Sequence, residues 1–142
     1  WLQNHNFQGD GAEQISFIIK DKMQNSDSLL VWHSRFEPYV YLKTLASTKF
    51  ASSIFFKPDG SIQAKNTDKH LLQTYEKEFV KETNKSSPDW ILLFKREGLG
   101  SNTFTDNYIR ELLDRKYLFV KRLKGIDLLG KKTSWELYSL KN

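Results

Sequence analysis

The sequence contains no cysteine. Disulfides, thiolate nucleophiles and thiolate-bound metals are therefore excluded, while the compartment stays open, because a cysteine-free chain is at home on either side of a membrane. Histidine is scarce, with only His5, His33 and His70. None stands at helical ligand spacing from another and no His-Glu-x-x-His run occurs, so no metal and no cofactor is expected. Long apolar runs are missing too. Nothing approaches the roughly 20 residues of a membrane-spanning helix, and no stretch of these residues reads as a signal peptide. A Walker loop and a complete Gly-x-Gly-x-x-Gly are also absent. Gly98–Thr103 (GLGSNT) lacks the third glycine and reads as a surface loop, the other reading being an anion on the amides near Thr105.

What is present describes one domain. The 142 residues, 39% hydrophobic and 27% charged, suffice to bury a core without staples. The 14% aromatic content falls mainly in the apolar runs and reads as packing rather than as a ring-lined pocket. The chain opens at Trp1 inside WLQNHNF without a methionine, which reads as a segment, residues 1–142, of a longer protein. Net charge is +5, with Lys and Glu mostly interspersed. Lys121, Arg122, Lys124, Lys131 and Lys132 are the exception and bracket a turn. A basic hairpin of this kind reads first as the lysines that keep an edge strand from pairing with other sheets, the other reading being contact with phosphates or an anionic lipid surface.

Periodicity predicts the elements. Gly11–Met23 carries Ala12, Ile15, Ile19 and Met23 at helical spacing, and Leu29–Trp32 is a continuous apolar strand. Pro38 opens a helix expected to turn Val40, Tyr41 and Leu45 inward. Thr48–Phe56 reads as a second strand and Thr67–Thr83 as the longest helix. Asp89–Phe94 is a third strand, followed by a helix capped at Thr105, a fourth strand Tyr117–Leu123 and a final strand Ser134–Leu140. Alternating strands and helices predict an α/β fold: a three-layer, mostly parallel, Rossmann-like sheet of about five strands. The expected strand order is 2-1-3-4-5, with a C-terminal antiparallel hairpin at one edge.

In such a sheet, ligands lie beyond the carboxyl ends of the strands. There the turn after the first strand supplies His33, Arg35 and Glu37 as ligand-binding candidates, with Ser34 among them. The turn has no glycine, and Phe36 and Pro38 would obstruct a phosphate, so it is a poor nucleotide site. Ser34 beside His33 lacks the Gly-x-Ser-x-Gly setting of a nucleophile elbow. His33 with Glu37 is the one pair suited to acid–base chemistry. Tyr117, Phe119, Trp135 and Tyr138 accompany the basic hairpin, but they sit in apolar strand runs, and nucleic acid is not expected as a partner.

Taken in order, ISFIIKDKM, DSLLVWHSRFEPYVYLKTLASTKFASSIFF, SSPDWILLFKR, DNYIRELLDRKYLFVKRL and WELYSL form a pattern running from Ile15 to Leu140. It resembles the soluble C-terminal domain of multi-spanning membrane glycosyltransferases related to dolichyl-phosphate-mannose protein mannosyltransferases and lipid A aminoarabinose transferases. Two departures stand out: His33 replaces a small residue, often Gly, and Lys49 replaces the commoner Arg. The resemblance implies an extracytoplasmic domain at the cell membrane, partnered by the membrane-embedded part of the same chain. That part would use a polyprenyl-phosphate-linked sugar and hold the catalytic carboxylate, so no catalytic residue carries over to this segment. The domain would shape the site or bind the acceptor, with lipid phosphates or a glycan acceptor as further partners. The alternative is a free-standing small-molecule or sugar-binding α/β module using His33, Arg35 and Glu37. A third reading is an enzyme resting on His33 and Glu37.

Overall fold

The structure, a computed structural model, describes residues 7–8, 11–33, 35–50, 69–98 and 103–142. The elements are β1 (Phe7–Gln8), α1 (Ala12–Lys20), β2 (Leu29–Trp32), α2 (Glu37–Leu42), α3 (Lys69–Lys85), β3 (Trp90–Arg96), α4 (Phe104–Lys116), β4 (Tyr117–Ile126) and β5 (Lys132–Leu140). Four strands carry a single sheet in the order β2-β3-β5-β4, and the two-residue β1 extends it beside β4.

The Rossmann-like expectation is overturned by the position of β5. This last strand does not close one edge; it lies between β3 and β4 and runs antiparallel to both. Among the described residues, parallel ladders join β2 with β3 and the short β1 with β4, and one isolated parallel bridge joins Leu29 to Ala46. The sheet is thus mixed, and most of its ladder is antiparallel. The unit β3–α4–β4 is split, with β5 filling the gap between its two strands. The cause lies in burial: Trp135, Glu136 and Leu137 are consecutive and all buried, which requires cover on both faces of β5 and neighbours on both sides. The expected order 2-1-3-4-5 fails for the same reason.

Alternation along the strands sorts the core into two clusters. Leu29, Val31, Leu92, Phe94, Leu123, Trp135 and Leu137 pack with Ala12, Ile15 and Ile19 of α1 and Tyr39 of α2. Leu30, Trp32, Ile91, Leu93 and Tyr117 pack with Phe79 of α3 and Ile109, Leu112 and Leu113 of α4. Gly11 opens α1 at φ +81, where a Cβ would stand 3.1 Å from Leu123 Cδ2, so both conformation and space call for glycine.

Two further expectations need correction. Helix α2 buries Pro38 and Tyr39, whereas Val40, Tyr41 and Leu45 are exposed. A helix of six residues shows too little of its period to fix which side faces inward. The second strand expected at Thr48–Phe56 falls largely outside the described residues; its described part, Thr48 to Phe50, belongs to no strand, and Ala46 just before it forms an isolated parallel bridge to Leu29. Helix α4 is capped two residues earlier than expected, not by Thr105 but by Thr103, whose hydroxyl accepts from the Asp106 amide while the Asp106 carboxylate accepts from the Thr103 amide.

Tyr39 fastens α2 to β2. Its hydroxyl oxygen accepts the Val31 N–H at 2.7 Å, a donor on the side of β2 away from β3. Burial pushes the Tyr39 pKa up to about 12. Tyr39→Phe leaves the buried Val31 amide without this acceptor and is expected to cost about 1–3 kcal/mol in urea denaturation.

Candidate functional site

β2, β3 and β4 run in the same direction, so their carboxyl ends meet at one end of the sheet. Two concavities lie there. The more enclosed one, about 230 Å³, is lined by Trp32, His33, Leu93, Lys95, Arg96, Asp106, Ile109 and Arg110. The second is an open groove of about 570 Å³ across β3, β5 and β4, lined by Lys95, Arg96, Glu97, Arg122, Lys124, Lys132, Thr133, Ser134 and Glu136. Lys95 and Arg96 line both.

His33 forms the wall of the enclosed pocket. It is buried, and its Nε2 stands 3.7 Å from Asp106 Oδ1. The same carboxylate oxygen accepts the Trp32 indole N–H at 2.9 Å, and the other accepts the Thr103 hydroxyl at 2.8 Å. Asp106 thereby occupies the N-terminus of α4. The anion that the sequence allowed near Thr105 would compete there with a carboxylate already in place. His33 also has φ +83, the left-handed conformation that glycine adopts without strain.

The structure separates the three candidates of the turn. The pocket's apolar walls, Trp32, Leu93 and Ile109, belong to the cluster under α3 and α4. The Arg35 guanidinium instead lies over the rings of Phe94 and Trp135, in the cluster under α1 and α2, with centroid distances of 5.0 and 5.8 Å. There it grips Glu37 through two contacts, Nε–Oε2 at 3.0 Å and Nη2–Oε1 at 2.6 Å. Arg35 and Glu37 thus form a bidentate pair on one face, and His33 meets Asp106 on the other. An acid–base couple of His33 with Glu37 does not form. Asp106 is the partner that sequence reasoning missed; its position three residues after a capping threonine was the available signal.

Of the five basic candidates, Arg122, Lys124 and Lys132 line the groove. Lys121 stands opposite Leu137 in the register and points to the other face from Arg122, which stands opposite Glu136. Lys131 lies in the turn after β4. Lys95 and Arg96 of β3 complete the cationic lining; they were not singled out because they end a strand far from the hairpin in sequence. The rings expected beside the hairpin divide: Trp135 and Tyr117 are buried, while Phe119 is exposed, edge-on to Tyr138 and 5.7 Å from the Arg122 guanidinium.

Glu136 organises the groove floor. This buried carboxylate accepts from Lys95 Nζ at 3.1 Å, Arg122 Nε at 3.0 Å and the Tyr138 hydroxyl at 2.8 Å. Burial alone would raise its pKa, but Tyr138, Lys95 and Arg122 together hold it below the ordinary glutamate value. Tyr138 is pushed in the opposite direction, first by burial and then by the carboxylate it serves. The groove thus carries five cations against Glu97 and Glu136, an arrangement suited to an anion.

Comparison with protein-family models, with curated proteins and with solved structures returned no match. Among the described residues, no cluster of three or more His, Asp or Glu is placed to hold a metal ion, and no helix is long and apolar enough to cross a membrane.

Two outcomes are expected from variants. Because the Glu136 pKa is depressed in the folded state, its contribution to stability is full above the unfolded value of about 4.3 and is lost as pH falls through the folded value. Glu136→Gln is expected to be destabilised by about 1–3 kcal/mol at neutral pH, with the gap closing in urea titrations carried below the folded value. At the turn, His33→Gly is expected to be more stable than His33→Ala by about 1 kcal/mol, since only alanine keeps the left-handed strain once the imidazole is gone. Thermal unfolding of the two variants side by side measures this difference.

Proposed function

We propose that this chain is an accessory extracytoplasmic domain of a membrane glycosyltransferase that draws its sugar from a polyprenyl-phosphate donor. In this reading it shapes the site, or binds the acceptor, through the strand-end pocket and the cationic groove. The observation that carries the reading is the backbone at His33. The resembling pattern has a small residue, often Gly, after the V-W strand, and that position here has φ +83. A left-handed residue is a physical reason for glycine there, so the departure at His33 is one of side chain and leaves the turn's shape in keeping with the pattern. The groove adds chemistry of the right sign, since Lys95, Arg96, Arg122, Lys124 and Lys132 face the space in which a phosphate-bearing donor or an anionic acceptor would be met.

A second reading, a free-standing small-molecule or sugar-binding module, draws on the enclosed pocket. Its polar contacts would be His33 and Asp106 with Arg110 on the wall, rather than His33 with Arg35 and Glu37.

Fractionation of the native protein from its own cells, followed with antibody raised against this domain, separates the two. The glycosyltransferase reading expects a band several times heavier than 16.7 kDa that leaves the membrane only in detergent and is cut by protease added from outside the cytoplasmic membrane. A soluble band of about this size would overturn it in favour of the binding module.

A further inference from the structure

The hairpin joining β4 to β5 ends in two leucines that the fold does not use. Leu128 is 99% exposed and Leu129 is 77% exposed, with Ile126 at 41% just behind them. Single exposed apolar residues are ordinary; here two adjoin at the extremity of a hairpin with a third behind them. The turn that presents them is closed by hydrogen bonds. Asp127 Oδ1 accepts the N–H groups of Leu129 and Lys131, both at 2.9 Å, and its Oδ2 accepts from Arg96 Nε at 2.6 Å. The Gly130 N–H donates to the Asp127 carbonyl, and the Asp127 N–H to that of Lys131. The Asp127 carboxyl is held below its usual range, chiefly by Arg96. Every short-range bond in the turn is thus made by backbone and Asp127, and the two leucines are held outward.

Around this tip stand Lys124, Lys131 and Lys132, all exposed, and none of their ammonium groups forms an ion pair among the described residues. Lys132 stands opposite Ile126, and Lys124 stands opposite Ser134 two positions further from the tip. The order from the extremity inward is apolar wedge, then cationic collar. That sequence matches a bilayer surface, in which hydrocarbon lies below anionic phosphates.

We propose that the β4–β5 hairpin is a membrane-docking element. Leu128 and Leu129 enter the interfacial region of an anionic bilayer, while Lys124, Lys131 and Lys132 reach back along their stems to the lipid phosphates. A protein partner fits less well, because a two-leucine wedge is far smaller than the roughly 1,200–2,000 Å² buried in a stable protein interface. A bilayer needs no such area, since the collar supplies attraction of its own. Docking by this tip has a geometric consequence. Arg96, which holds Asp127, also lines the pocket and the groove, so both concavities would lie close to the headgroups. The inference rests on the exposed tip and its collar and stands apart from the enzymatic context proposed above.

The test is co-sedimentation of the chain with vesicles of phosphatidylcholine alone and of phosphatidylcholine mixed with phosphatidylglycerol. Binding is expected to the mixed vesicles, at least about tenfold stronger than to the neutral ones and weakened by salt. Leu128→Ser with Leu129→Ser is expected to reduce it about tenfold or more without changing the thermal transition, since both side chains are outside the core. Lys124→Gln, Lys131→Gln and Lys132→Gln together are expected to bring the mixed vesicles down to the neutral level. No binding to either vesicle overturns the proposal, and so does binding that ignores the leucine pair, which would be mere adherence of the groove cations. Equal binding to both vesicle types overturns the role of the collar.

Discussion

A carboxylate in the middle of a sheet is costly unless charged donors surround it, and Glu136 is such a group: buried, on the central strand, and served from both sides. Lys95 reaches it from β3, Arg122 from β4 and Tyr138 from two residues along β5. Because these donors belong to different strands, they fix how β5 can lie. In the register observed, Glu136 stands opposite Leu93 on one side and Arg122 on the other. A slip of one residue would turn it toward Phe94 and Leu123, into the apolar cluster under α1 and α2, and would turn Trp135 out into the groove. The network therefore specifies register first. Lys95 and Arg122 are each half-exposed and can be rehydrated, so the ions add only moderately to stability.

This glutamate also explains where the sequence was legible and where it was not. Helices and strands with long, clean periodicity were largely readable: of the expected α3 stripe of Leu71, Leu72, Tyr75 and Phe79, the last three pack on the core and Leu71 is exposed, while the unbroken ILLF of β3 is buried as its pattern implied. The last strand was different. SWELYSL has a charged residue between Trp135 and Leu137, and a single charged position in an alternating strand reads as a solvent-facing one at an edge. Only the arrival of Lys95 and Arg122, distant in sequence, makes Glu136 an interior residue. Long-range charge compensation leaves no local trace, and with it went the sheet order. The candidate site divided for a similar reason. His33, Arg35 and Glu37 are neighbours in sequence, but Arg35 is drawn to the rings of Phe94 and Trp135 while the left-handed backbone at His33 turns its imidazole toward Asp106.

The inverted central strand has a further effect on where chemistry collects. With β2, β3 and β4 all ending at one side of the sheet, and β5 beginning there, that side receives the turn after β2, the end of β3, the N-terminus of α4 and the tip of the β4–β5 hairpin. Had the hairpin closed an outer edge, its tip would stand one strand further from β3. Because β5 returns between β4 and β3, Asp127 comes within reach of Arg96 at 2.6 Å, and the Glu97 N–H bonds the Lys132 carbonyl at 2.8 Å. The tip, the groove and the pocket are joined by these contacts into one continuous surface. Its polarity grades from the two leucines through the lysine collar and the Glu136 network to the His33–Asp106 wall. A surface so ordered can meet a layered partner, apolar below and anionic above, in one orientation only. The topology that hid β5 from sequence reasoning is what gives this end of the domain a direction.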